Sequence, residues 1–105
     1  MTQNTAPRAN RTSRIGVLGV FVHESGSIAR VNHVLQEFAS LIRGRMGLPN
    51  IPADPPLNVI ALIFSGSSDQ LGALSGRLGQ IPGVETKSVL SREAVAAEVE
   101  KQHAQ

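Results

Sequence analysis

From residue 14 the sequence RIGVLGVFV is apolar at almost every position and rich in valine, the pattern of a strand covered on both faces. HESGS then supplies a turn and a helix start. Ile28, Val31, Leu35 and Phe38 follow at steps of three, four and three, which places them on one face of an amphipathic helix. LIRGRMGL, residues 41–48, alternates as a second strand. Four prolines in PNIPADPP, residues 49–56, bar both a helix and a central strand, so this segment reads as a linker.

Beyond the linker the pattern starts again. LNVIALIFS is a third strand, GSSD a turn with helix-capping chemistry, and Leu71, Leu74, Leu78 and Ile81 repeat the steps of three, four and three. Adding 43 carries the first helix stripe onto the second, and also takes Phe21 to Phe64, Ser25 to Ser68 and Leu41 to Val84. Pro82-Gly83 ends the second helix, and VETKSVL makes a fourth strand. The order β-α-β-β-α-β predicts an α+β, ferredoxin-like domain built from two tandem halves. Right-handed crossovers then place both helices on one face of a four-stranded antiparallel sheet.

That arrangement leaves a conflict. In the first strand Ile15, Val17 and Phe21 oppose Leu18, Val20 and Val22; in the third, Val59, Ala61 and Ile63 oppose Ile60, Leu62 and Phe64. Both sheet faces are therefore apolar, and two helices cover only one of them. The sequence predicts a homo-oligomer, a dimer or tetramer, with a sheet face or edge in its interface. The competing cover is the segment from residue 91 to 105, which offers only Val95 and Val99 as large apolar side chains.

Composition narrows the classes of function. A chain of 105 residues with 41% hydrophobic and 17% charged positions suits one small globular domain, and no apolar run is long enough to span a bilayer. The start of the chain lacks the apolar segment of a secretory signal, so the cytoplasm is the expected location. The absence of cysteine excludes disulfides, thiolate-held metals and a cysteine nucleophile. The net charge of +2 is concentrated at the start: without Arg8, Arg11 and Arg14, seven bases face eight acids. The domain boundaries follow as a disordered polar tail over 1–13, a folded unit over 14–91 and a C-terminal tail over 92–105, with room for a short helix.

Candidate chemistry is sparse. In His23-Glu24-Ser25-Gly26-Ser27 the chain passes from strand to helix, where a glycine admits close approach and free N–H groups suit an anion; Ser25, Gly26 and Ser27 are thus candidates for effector binding. Simple capping is the competing reading. The equivalent turn, Ser65 to Asp69, places a carboxylate where an anion would bind. His23, His33 and His103 form no ligand set of recognisable spacing, and a serine adjacent to a histidine in sequence makes no nucleophile by itself, so neither a metal, a cofactor nor an enzyme is expected. Three phenylalanines, all assigned to core packing, give no base-stacking platform, so nucleic acid would depend on the basic N-terminal tail.

In the second strand, Arg43, Gly44, Arg45, Met46 and Gly47 break the repeat, since Arg43 and Arg45 correspond to Thr86 and Ser88. Alternation sets Arg43 and Arg45 on one face with Leu41, and Ile42 and Met46 on the other, beneath the helices. The two glycines suggest a bulge or a close approach of another backbone, and the stretch is a candidate interface or anion-binding edge. Two ordinary arginines on a solvated strand face are the competing account.

The order of these segments, and above all RMGLP and LGALSGRLGQIPGV, resembles the iron-only hydrogenase system regulator family over residues 14 to about 91. The resemblance implies a ferredoxin-like domain related to ACT domains and to the C-terminal domain of the nickel-responsive regulator, assembling as dimers or tetramers. Both relatives bind a small effector or a metal at subunit interfaces. The family name reflects a proposed link to hydrogenase genes, and the resemblance supplies no catalytic residues. The expectation is a stand-alone regulatory or sensor domain with its effector near Ser25–Ser27 at a subunit contact. A protein adaptor that docks through its sheet surface, and more weakly a nucleic-acid-binding regulator, are the alternatives.

Overall fold

The computed structural model describes residues 13–92. Strand β1 spans Arg14–Val22, helix α1 Ile28–Glu37, β2 Ile42–Ile51, β3 Leu57–Gly66, α2 Ser68–Gly79 and β4 Val84–Leu90. Single 3-10 turns, Ser25–Ser27 and Ala39–Leu41, flank α1. The strands form one antiparallel sheet in the order β2-β3-β1-β4, the ferredoxin-like arrangement that the element order implied. No helix among the described residues is long and apolar enough to cross a membrane. Expectations for the two tails fall, but for Ser13 and Arg92, outside the described residues.

One sheet face and the two helices enclose the core. Leu18, Val20 and Val22 from β1 and Ile60, Leu62 and Phe64 from β3 meet Val31, Val34 and Leu35 from α1 and Leu71, Leu74 and Leu78 from α2. Both stripes read from the sequence face inward: Ile81 is buried, and Ile28 and Phe38 pack against the core's edge. The helices begin differently. Ser67 caps α2 with a reciprocal pair, its hydroxyl accepting the Gln70 N–H at 3.1 Å while Gln70 Oε1 accepts the Ser67 N–H at 2.9 Å. Ser27 precedes α1 without capping it and uses its hydroxyl elsewhere.

Three expectations need correction. The second strand continues through Pro49 to Ile51, where the prolines had marked a linker. It is an edge strand, which tolerates a proline, and its ladder slips between Leu48 and Ile51 around Asn50, whose φ is 55°. The face assignment within β2 also changes, because Arg43 is the extra residue of a bulge between Ile42 and Gly44. Alternation restarts out of phase there: Ile42 stays opposite Phe64 on the helix side, but Arg45 joins it opposite Leu62, and Met46 turns to the open face opposite Ala61. The bulge that Gly44 suggested is present, and it moves Met46 off the face assigned to it.

The repeat is the third. A shift of 43 holds for the helix stripes, but β1 and β3 pair residues of equal parity, so between these two strands the odd shift exchanges the faces. Phe64 is accordingly in the core, whereas Phe21, its counterpart, lies on the open face with its ring over Gly19. Phe21 is therefore not a core residue.

Candidate functional site

The turn after β1 packs against the turn before β4. The His23 N–H donates to the Gly83 carbonyl at 2.7 Å, and the buried Ser27 hydroxyl donates to the Pro82 carbonyl at 2.6 Å. Gly83 adopts φ 74°, and a Cβ there would lie 2.6 Å from Glu24 Cγ, so both the backbone and the neighbour demand glycine. Ser27 thus ties two distant turns together. Its replacement by alanine is expected to cost about 1–2 kcal/mol in urea denaturation, whereas Ser25→Ala at an exposed position should stay within about 0.5 kcal/mol. Ser25 and Gly26 are exposed, and nothing lies within 4 Å of where a Gly26 Cβ would stand. His23 bonds to Glu85 at 3.3 Å and to neither Ser25 nor Ser27, so neither hydroxyl of this turn has His23 as a base.

Immediately after this turn, a pocket of about 240 Å³ lies between the first turns of α1 and the β2–β3 hairpin. Ile28 and Ile60 give it apolar walls, Leu48 and Val59 also border it, and Gly47 adds no side chain to fill it. Its polar groups come from three elements. Arg45 donates to Asn32 Oδ1 at 2.6 Å, and Asn58 Oδ1 accepts the Asn50 N–H at 2.8 Å. With both carbonyl oxygens engaged, each asparagine retains an NH₂ group as donor, and no carboxylate lines the cavity. The chemistry fits a small molecule with acceptor oxygens and an apolar body.

Of the second-strand candidates, Arg45 and Gly47 line this pocket, Arg43 stands in the bulge, and Gly44 and Met46 lie on the open sheet face. Asn32 and Asn58 went unnoticed in the sequence. Only the bulge brings Arg45 beneath α1, so the signal that could have revealed the trio was the phase change at Gly44.

The open face is the larger feature. Ile15, Val17, Met46, Leu48, Ile63 and Val89 are all exposed there, Val17 to 49%, Met46 to 64% and Val89 to 72%. Registers Val17↔Ile63, Val17↔Val89 and Met46↔Ala61 make the patch continuous across all four strands. Glu85 and Lys87 on β4 bring charge to one corner, where they approach to 3.8 Å. Among the described residues no group of histidine and acidic side chains is arranged to hold a metal, and no buried side-chain polar atom lacks a partner.

The chain matches, over residues 14–88, the TM1266-like family described as iron-only hydrogenase system regulator. This is the family that RMGLP and LGALSGRLGQIPGV brought to notice. Among solved structures, the uncharacterized protein TM1266 from Thermotoga maritima is 33% identical, with 76% of this chain and 99% of that one covered and a TM-score of 0.66. The ACT domain from the GTP pyrophosphokinase of Chlorobium tepidum shares 17% identity over 74% of this chain and all of that one, with a TM-score of 0.60. The C-terminal domain of the MgtC protein from Mycobacterium tuberculosis shares 16% over 79% and 93%, with a TM-score of 0.58. At such identities the last two establish the ferredoxin-like, ACT-like fold alone. No curated protein matches the sequence.

Proposed function

This chain belongs to the TM1266-like family of iron-only hydrogenase system regulators, and from that premise we propose that it is a regulatory domain without catalytic machinery, assembled from two or more copies, that responds to a small effector. The observation that carries this reading is the open sheet face. A monomer would leave a continuous apolar patch in water, and a second copy offering the same patch covers it by a two-fold contact. The folding unit is residues 14–91, acting in the cytoplasm.

The effector site is the Arg45 pocket together with the exposed Ser25 and Gly26 beside it, along the β2 edge where a neighbouring copy has access. Arg45 is its cation, Asn32 and Asn58 supply donors, and Ser27 holds the turn in place from behind. The family description connects the chain to hydrogenase systems and names no ligand, so the test is a panel of amino acids, nucleotides and metal ions in thermal unfolding.

One class of compound is expected to raise the melting temperature. A ligand at a hundred times its dissociation constant contributes about 2.7 kcal/mol, a shift of roughly 10 °C or more for a domain this size. Arg45→Ala should abolish that shift while leaving the unliganded melting temperature nearly unchanged, since Arg45 is exposed. A panel without effect, with a protein partner retained at stoichiometric amounts on purification, would contradict the effector reading and favour an adaptor.

A further inference from the structure

Arg45 makes no ion pair among the described residues, and its partner at 2.6 Å is a neutral amide oxygen, Asn32 Oδ1. Arg45 also borders a smaller hollow of about 210 Å³ farther along α1, where Gln36 is the only other polar side chain. No carboxylate lines either cavity. A neutral acceptor fixes the guanidinium without cancelling its charge, whereas an aspartate in the same place would do both. The charge is left for an anion from solution.

Size and chemistry narrow that anion. The main cavity, at about 240 Å³, falls below the roughly 300–1,000 Å³ of pockets for drug-sized ligands, so a nucleotide exceeds it. No histidine or acidic side chain lines it, so a metal ion finds no ligand set. An α-amino acid fits in size, but its ammonium group would stand near Arg45 with no side-chain acceptor. Asn32 Oδ1 and Asn58 Oδ1 are already taken, by the Arg45 guanidinium and the Asn50 N–H. On the reading that this pocket is the effector site, we propose that it selects a small carboxylic acid with an apolar body and an oxygen, in place of the amino group, on the α-carbon. Its carboxylate pairs with Arg45, its α-oxygen accepts from an asparagine NH₂ group, and its body lies against Ile28 and Ile60. Amino acids of the same shape bind as weaker analogues.

Three matched pairs test this by calorimetric titration of the full chain: pyruvate with alanine, α-ketoisocaproate with leucine, and phenylpyruvate with phenylalanine. In the pair whose body fits best, the keto acid is expected to bind about tenfold or more tighter than the amino acid, the scale of one charge-assisted hydrogen bond. Asn32→Asp keeps the hydrogen bond to Arg45 but neutralises the guanidinium and offers an ammonium group an acceptor. It should weaken the keto acid about tenfold or more and narrow or reverse the preference, whereas a merely structural role for Asn32 would lower both ligands alike. Amino acids binding as tightly as their keto acids, or a preference unchanged in Asn32→Asp, would overturn the proposal and leave the effector reading standing. So would binding of a nucleotide or a metal ion but of no keto acid. Failure of every compound would remove the effector reading itself, and this proposal with it.

Discussion

Val17→Asp is expected to yield a folded monomer. Val17 sits in the middle of the open face, paired across the ladder with Ile63 on one side and Val89 on the other. Its side chain points away from the core, so in a single copy the aspartate remains in water and costs no more than about 1 kcal/mol of strand preference. At a two-fold contact the same change buries two carboxylates without partners, each at several kcal/mol. The sum weakens association at least a thousandfold, as about 4 kcal/mol does. Light scattering should show the mass fall to 11.1 kDa with the circular dichroism spectrum retained. Ile63→Lys, on the neighbouring strand, should do the same. Unchanged assembly in both variants would remove the open face from the interface.

The two phenylalanines at corresponding places in the repeat should respond in opposite ways. Phe64 is fully buried between the sheet and the helices, so Phe64→Ala opens a cavity and is expected to cost about 3–5 kcal/mol, a large part of the stability of a domain this small. Phe21 lies on the open face, over Gly19. Phe21→Ala should change the stability of the monomer by about 1 kcal/mol or less, while weakening self-association. Denaturant unfolding of both variants in the Val17→Asp background isolates the monomer term. Equal losses would show that the faces of β1 and β3 have been misassigned.

Legibility in the sequence followed the range of the interactions. Helix stripes and strand identities are local, and they were readable: VETKSVL is β4 from end to end, and Leu71, Leu74, Leu78 and Ile81 all face the core. The apolar excess on β1 and β3 was readable too, because alternation within one strand needs no partner. Phase was harder. Gly44 suggested a bulge, yet a bulge moves everything after it to the other face, and that consequence placed Arg45 under α1 and Met46 outside. The odd shift of 43 contained the same warning for Phe21 and Phe64.

Contacts between distant segments were not readable at all. Ser27 meets Pro82, and Arg45 meets Asn32 beside Asn58, with no periodicity linking the members of either group. What the sequence offered for the first turn was a choice between capping and ligand binding. Ser27 does not cap the helix: its hydroxyl donates to the Pro82 carbonyl and ties the two turns together.

The most direct measurement is an isotope-filtered nuclear Overhauser experiment on assemblies mixed from labelled and unlabelled chains, which detects only contacts between copies. Covering of the open face by a second copy predicts intermolecular cross-peaks from the methyl groups of Ile15, Val17, Met46, Ile63 and Val89. Cross-peaks confined to helix residues, or none at concentrations where the protein is stable, would contradict it.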